Sequence, residues 1–262
     1  MKRIMYRIKG KSLSKDKYIS IDALEIKDKA YLGALLHTFA LKEEIIIDFS
    51  QGIPEELAPT QTYREDIVAS ILKKGIIVTS EKSEVVAYPI YQNFLYEVGV
   101  KNIDKILTEL MYPEYISIND KEEVYILLKE IQFYEAIEYM SQMLQKFHLP
   151  VFKFDKRYRL LFLQILKTYS LSQLFNFIYT AVRNQAAYGQ ININTYVPLA
   201  NYIYKKIIDR YEKAILKDWD IMNFDRIWGW QQSELSKLVC NKLLNLGDLA
   251  FYEVINIENY IK

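Results

Sequence analysis

Glycine, histidine and cysteine are scarce in this chain of 262 residues, which contains eight glycines, two histidines and one cysteine. Glycine-rich turns hold phosphate groups, and clusters of histidine and cysteine bind metals or carry nucleophilic chemistry. The sequence contains no phosphate-loop, dinucleotide-binding, nucleophile-elbow or zinc-protease motif. The composition therefore argues against the common catalytic and nucleotide-binding sites, and we expect no cofactor and no metal.

An excess of either charge is also lacking, because 34 Lys and Arg residues face 33 Asp and Glu residues. This balance excludes a uniformly basic surface, so any polyanion site must be local. Cys240 has no partner for an internal disulfide, and the basic first 17 residues differ from a secretory signal. Apolar runs are shorter than the ~20 residues of a membrane span. We expect a cytoplasmic protein without a membrane span.

Tyrosine is abundant instead, with 22 copies in a chain that is 51% hydrophobic. Such a chain can bury a sizeable core without disulfides. Tyr134 and Tyr211 fall on apolar helix faces, which predicts tyrosines at the edge of the core with the hydroxyl group in water. The high content of Ile, Lys, Asn and Tyr is typical of an AT-rich genome, and we expect a bacterial source.

The spacing of apolar residues predicts a mainly α protein, with a mixed α/β region over residues 1–115 and an irregular helical bundle over residues 116–262. The predicted strands of the first region are 3–8 and 45–47, and its helices are about 24–41, 63–74 and 103–111. The bundle helices are predicted at about 119–150, 155–169, 171–188, 196–217 and 233–246. Asp155 and Ser170 are predicted N-caps, and Gly189 and Gly247 are predicted helix stops.

A winged-helix element is predicted at about 62–90. Thr62 and Glu65 form a capping-box pattern at the start of its helix, and Gly75 is placed to end that helix. Residues 76–78 and 85–88 have the pattern of two strands joined by a polar turn. Helix, glycine, strand, turn and strand is the order found at the end of a winged helix.

Two interpretations of this element stay open. A recognition helix would direct Arg64, Lys73 and Lys74 towards phosphate groups. Lys82 would lie at the tip of the wing. Glu65 and Asp66 would repel a DNA backbone, which favours a wing that is structural or contacts protein. The basic first 17 residues have the same two interpretations, as a phosphate-binding arm or as the solvated face of a strand.

A second basic segment lies at the start of a predicted bundle helix and contains Lys153, Lys156, Arg157 and Arg159. The macrodipole disfavours cations in the first turn of a helix, so a bound anion would account for them. The alternative is a solvated turn in which Asp155 offsets the charge.

All three tryptophans lie within twelve residues, between two predicted helices. Tryptophan and arginine dominate interface hot spots, which predicts a partner-binding loop. The alternative is a loop that its aromatic residues anchor to the bundle. The candidate residues are Trp219, Phe224, Arg226, Trp228 and Trp230.

Catalytic candidates are few. His37 is expected in the core of its helix, His148 at a helix end, and Cys240 as a buried, inert thiol. The carboxylates Glu130, Glu135 and Glu138 share one helix without the Glu-x-x-His spacing of a di-iron site, so we expect a solvated face. Asp48, at the end of a strand, is too isolated a carboxylate to indicate a metal site.

These patterns favour a non-catalytic protein that binds another macromolecule, as an adaptor or an accessory subunit of a larger assembly. The alternative is a nucleic-acid-binding protein that uses the winged helix and the local basic segments. A metal-dependent enzyme with a dispersed carboxylate site is the third hypothesis. The sequence alone names no partner.

Overall fold

The structure is a computed structural model of the chain and is mainly helical, as the sequence predicts. In the part of the chain that it describes, no helix is long and apolar enough to cross a membrane. The described residues are 5–6, 19–20, 23–39, 46–49, 52–79, 84–86, 91–93, 95–100, 118–191, 199–227 and 230–256.

The chain forms two compact units that both draw on separate stretches of sequence. The first unit contains residues 1–127 and 231–245, and the second contains residues 128–230 and 246–262. The segment predicted as the last bundle helix thus belongs to the first unit.

Among its described residues, the first unit contains six short strands, the helices α1 and α2, and a C-terminal helical segment. The strands are β1 (Met5–Tyr6), β2 (Ile46–Asp48), β3 (Ile77–Thr79), β4 (Glu84–Val86), β5 (Tyr91–Asn93) and β6 (Leu95–Val98). The helices are α1 (Ile26–Phe39) and α2 (Gln61–Lys73). The predicted helix at 103–111 lies outside the described residues.

The strands form two antiparallel sheets, with strand orders β1-β4-β5 and β2-β6-β3. Ile77 pairs with Val98 in the second sheet, and Val86 pairs with Tyr91 in the first. β3 and β4 therefore belong to different sheets, whereas a wing would pair them as a hairpin. Local sequence could predict the strands but could not choose their partners.

Caps define the α2 helix, although the N-cap is not the predicted residue. The Thr60 hydroxyl accepts a hydrogen bond from the Tyr63 amide at 3.2 Å, while Thr62 lies inside the helix. Gly75 ends the helix with φ of 71°, as the sequence predicts, because only glycine adopts that region without strain. Gly99 has no room for a side chain, since a Cβ there would meet the Gly75 carbonyl oxygen at 2.5 Å.

Ser233 starts the C-terminal helical segment of the first unit by accepting a hydrogen bond from the Ser236 amide. Its helix α7 (Glu234–Lys237) continues as a π-helix (Leu238–Leu243). Periodicity predicts a single helix here, because a widened turn leaves no signal in the spacing of apolar residues. Gly247 follows with φ of 52°.

In its described residues, the second unit contains five helices, of which the last is a single turn. They are α3 (Ile118–Lys146, whose first residues belong to the first unit), α4 (Lys156–Ile165), α5 (Leu171–Ile191), α6 (Leu199–Leu216) and α8 (Leu249–Tyr252). Asp155 and Ser170 cap α4 and α5 as predicted, and Gln173 returns the Ser170 hydrogen bond. Gly189 lies inside α5 and does not stop it.

Aromatic side chains fill the core of the second unit. The ring of Phe175 stacks on Tyr139 with centroids 3.9 Å apart and meets Phe251 edge to face. The Tyr158 ring is buried and its hydroxyl donates to the Ala200 carbonyl at 2.6 Å. This core supports the surface features described below.

Lys129 in α3 provides a test of the second unit's packing. Its ammonium group donates to the Leu166 carbonyl at 2.9 Å, and burial lowers its pKa to about 8. Between pH 8 and 10.5 the unfolded chain therefore binds more protons than the folded one, so stability rises with pH. We expect the stability of the wild type relative to Lys129→Met to increase by up to roughly 3 kcal/mol over this range.

Denaturant unfolding at pH 7 and pH 10 measures this difference. Lys146→Met, at an exposed position of the same helix, is the control and should show no such trend. A constant or falling stability difference between wild type and Lys129→Met would contradict the burial of this amine.

Candidate functional site

The segment that follows α6 is held to the start of α5 by hydrogen bonds to its backbone. The buried Ser172 hydroxyl donates to the Phe224 carbonyl at 2.6 Å and accepts the Phe224 amide at 2.7 Å. Gln173 donates to the Ile221 carbonyl at 2.9 Å. Three backbone groups of an irregular segment are thereby satisfied by side chains of one helix.

Asn176, one turn further along α5, extends this set of contacts. Its amide nitrogen donates to the Met222 carbonyl at 3.0 Å, and the side chain is only 6% exposed. Ile221 is buried beside it, and the Phe224 ring packs against Tyr179 at 5.4 Å. Residues 221–224 are therefore fixed in one conformation on the helix.

The end of α6 fixes the other side of this segment. The Trp219 amide donates to the Ala214 carbonyl at 2.9 Å and the Asp218 amide to that of Ile215 at 3.4 Å, the two bonds of a Schellman motif. Asp218 takes the left-handed position with φ of 50°, where glycine is the usual residue. An L-residue there carries backbone strain, which the two hydrogen bonds offset.

Four large apolar side chains project into solvent from this fixed backbone. Leu216 is 83% exposed, Met222 73%, Ile215 49% and Trp219 39%. We name residues 215–222 the 215–222 segment. The backbone is thus held on both sides by hydrogen bonds while these apolar side chains are in water.

The predicted tryptophan cluster divides between core and surface. Trp230 stacks on Phe175 with centroids 5.7 Å apart, and Arg226 donates to the buried carboxylate of Glu135 at 3.0 Å. The Arg226 guanidinium also lies 4.3 Å above the Phe251 ring. These residues and Phe224 anchor the loop to the bundle, while Trp219 remains available for contact.

Trp228 lies outside the described residues. The partner-binding role of the predicted cluster stays a prediction. Leu216, Met222 and Ile215 were not predicted as site residues, although a signal for Leu216 exists. The apolar stripe of α6 runs through Ile203, Ile207 and Ala214, and Leu216 falls about 160° away from Ala214 around the helix.

The second basic segment is mostly engaged in local contacts. Arg157 pairs with the N-cap Asp155 at 2.7 Å and donates to Asn201 at 2.9 Å. The hydrogen bond to the Asp155 carboxylate raises the pKa of Arg157 above its ordinary value. Arg159 approaches Glu130 at 3.6 Å and lies over the Phe133 ring. Lys153 and Lys156 are exposed, and the capped helix start argues for the solvated-turn interpretation.

The cations of the predicted winged helix are also divided. Arg64 is buried and donates to the Ala58 carbonyl at 2.9 Å, which corrects its expected place on a phosphate-binding face. Lys74 donates to both oxygens of the buried Asp28 carboxylate, at 2.8 and 2.7 Å, and to Glu25 at 3.0 Å. The hydrogen bond to Asp28 raises the pKa of Lys74. Lys73 is exposed, whereas Lys82 lies outside the described residues, as do the cations of the N-terminal arm.

The catalytic candidates do not converge in the described part of the chain, where no group of three or more His, Cys, Asp and Glu side chains could hold a metal. His37 is exposed near the end of α1, which corrects its expected place in the core. Glu135 is buried against Arg226, which corrects the expected solvated face. Cys240 is buried, as predicted.

Comparison with protein-family models, with curated proteins and with solved structures found no match.

The two neighbouring lysines of α2 provide a matched pair of variants. We expect Lys74→Met to lower the free energy of unfolding by about 1–3 kcal/mol, because it leaves a buried carboxylate unpaired. Lys73→Met should change it by less than about 0.5 kcal/mol, since Lys73 is exposed. Equal effects of the two substitutions in denaturant unfolding would show that the Asp28 pairing contributes little.

Proposed function

We propose that this chain is a non-catalytic interaction protein, an adaptor or accessory subunit of a larger cytoplasmic assembly. One observation carries the proposal. The 215–222 segment holds large apolar side chains in water on a backbone in which two carbonyls accept hydrogen bonds from α5 and two amides donate to α6. The partner we propose is a protein, because aliphatic and indole side chains are covered most completely by other side chains.

The rigidity of the backbone supports this proposal energetically. A flexible loop loses conformational entropy when a partner orders it, and each immobilised side chain costs about 0.5–1.5 kcal/mol. Here Ser172, Gln173 and Asn176 have already fixed residues 221–224 in the free chain. A partner would therefore order only side chains such as Leu216 and Met222.

Nucleic-acid binding through the segment predicted as a winged helix, at about 62–90, and through the local basic segments is the second proposal. The exposed cations Lys73, Lys153 and Lys156 favour it. The pairing of Lys74 with Asp28 and of Arg157 with Asp155 counts against it, because a phosphate would have to displace a carboxylate. A metal-dependent enzyme is the third proposal, and no described cluster of carboxylates favours it.

A retention experiment with the full chain tests the proposed interaction. The immobilised protein is exposed to native host extract, and retained proteins are compared between the wild type and a Leu216→Ser, Met222→Ser double variant. We expect a specific partner whose retention falls at least about tenfold in the double variant, the size expected for loss of interface hot spots.

Leu160→Ser is the matched control, because Leu160 is an equally apolar side chain that is 61% exposed on α4. It should retain the partner as the wild type does. Both sites are exposed, so melting temperatures should agree among the proteins. Equal loss from the Leu160 variant, or no retained protein that depends on Leu216 and Met222, would contradict the proposal.

A further inference from the structure

A row of cations borders the 215–222 segment. Lys206, Arg210, Lys213 and Lys217 follow one another at spacings of four, three and four residues, which places them along one edge of α6 and its last turn. Asp209 is three residues after Lys206 and four before Lys213, so it lies at the same edge, whereas Glu212 falls away from it. Four cations thus face one carboxylate there. The edge therefore has a local positive charge, although the chain as a whole is nearly neutral.

Arg210 lies at the centre of this edge, and no carboxylate of the described residues forms an ion pair with it. Burial lowers the pKa of Arg210, and the nearby charge of Arg183 on α5 lowers it further. The Nε atom of Arg210 is buried without a hydrogen-bond acceptor. Within the described ranges, neither arginine forms an ion pair with a carboxylate, and Arg183 lies over the Tyr179 ring. Two such guanidinium groups favour an anion between them.

One buried side chain connects these cations to the apolar surface. The Asn176 amide oxygen accepts a hydrogen bond from Arg210 Nη2 at 3.2 Å, while its nitrogen binds the Met222 carbonyl. The Lys217 ammonium lies 5.6 Å from the Trp219 ring. The cations thus border the exposed apolar side chains, and the same asparagine contacts both Arg210 and the Met222 backbone.

We infer that the partner bound by the 215–222 segment is acidic at the point of contact, and that it places a carboxylate against Arg183 and Arg210 beside an apolar anchor. This inference rests on the proposed function. A carboxylate matches the planar fork of a guanidinium and would relieve the repulsion between the two arginines. A nucleic-acid backbone supplies anions but has no aliphatic groups to cover Ile215, Leu216 and Met222.

Titration of the full chain with defined peptides, followed by nitrogen-15 NMR, tests this inference without knowledge of the partner. The probe is a 14-residue helical peptide with leucines on one face and glutamates beside them, and its control has glutamine in place of glutamate. We expect the glutamate peptide to shift the Nε–H signals of Arg183 and Arg210 and the backbone amides of residues 214–224. The glutamine peptide should bind about tenfold more weakly.

Arg183→Gln should reduce affinity for the glutamate peptide about tenfold and leave affinity for the glutamine peptide unchanged. Arg183 is exposed, so the variant should remain folded. Arg183→Lys should recover part of the affinity, since it restores the charge but not the fork. Equal affinity of the wild type for the two peptides would overturn the inference.

Inorganic phosphate and a twelve-nucleotide oligothymidine are titrated in parallel. Shifts of the arginine Nε–H signals at lower concentrations of either one than of the glutamate peptide would overturn the carboxylate assignment in favour of phosphate. Retention of a partner that depends on Leu216 but not on Arg183 would leave the proposed function standing and remove this inference. Binding of the glutamate peptide without any retained partner would show that the surface binds carboxylates and would contradict the proposed function.

Discussion

The conformation of the segment after α6 depends on one set of hydrogen bonds, in which polar side chains of α5 bind the backbone of residues 221–224. Ser172 satisfies both the amide and the carbonyl of Phe224, and Asn176 binds the Met222 carbonyl. An irregular segment lacks the internal hydrogen bonds of a helix, so these contacts decide its conformation. Without them Met222 would have no fixed position.

The same contacts explain how apolar side chains can remain in water on a stable fold. Ile221 and Phe224 pack into the bundle, so Met222, which lies between them, is directed away from it. Leu216 lies on the outer face of α6, and the Schellman motif at Asp218 turns the chain directly after it. Buried anchors and exposed contacts alternate over a few residues, which is the arrangement that the proposed interaction requires.

Local signals predicted much of the helical structure and little of the site. Asp155, Ser170 and Gly75 mark helix ends in the sequence and do so in the structure, because capping depends on residues close in the chain. The contacts from α5 that hold residues 221–224 join residues 46 to 52 positions apart, such as Ser172 and Phe224. No periodicity or motif reports such pairs.

Residue type alone was also an incomplete guide to exposure. Arginine is common in interface hot spots, but Arg226 is bound to the buried Glu135 carboxylate. Leucine is typical of protein cores, but Leu216 is the most exposed large apolar side chain of the described residues. Glu135, which is distant in the sequence, holds Arg226 in the bundle, whereas Leu216 lies on the outer face of α6 and is exposed.

Hydrogen exchange in the isolated chain tests most directly whether the 215–222 segment is rigid before any partner binds. The Trp219 and Phe224 amides donate to the Ala214 carbonyl and the Ser172 hydroxyl, so we expect both to exchange as slowly as amides in the middle of α5. Exchange of these two amides at the rate of an unstructured peptide would show a mobile loop, and it would contradict a preformed binding surface.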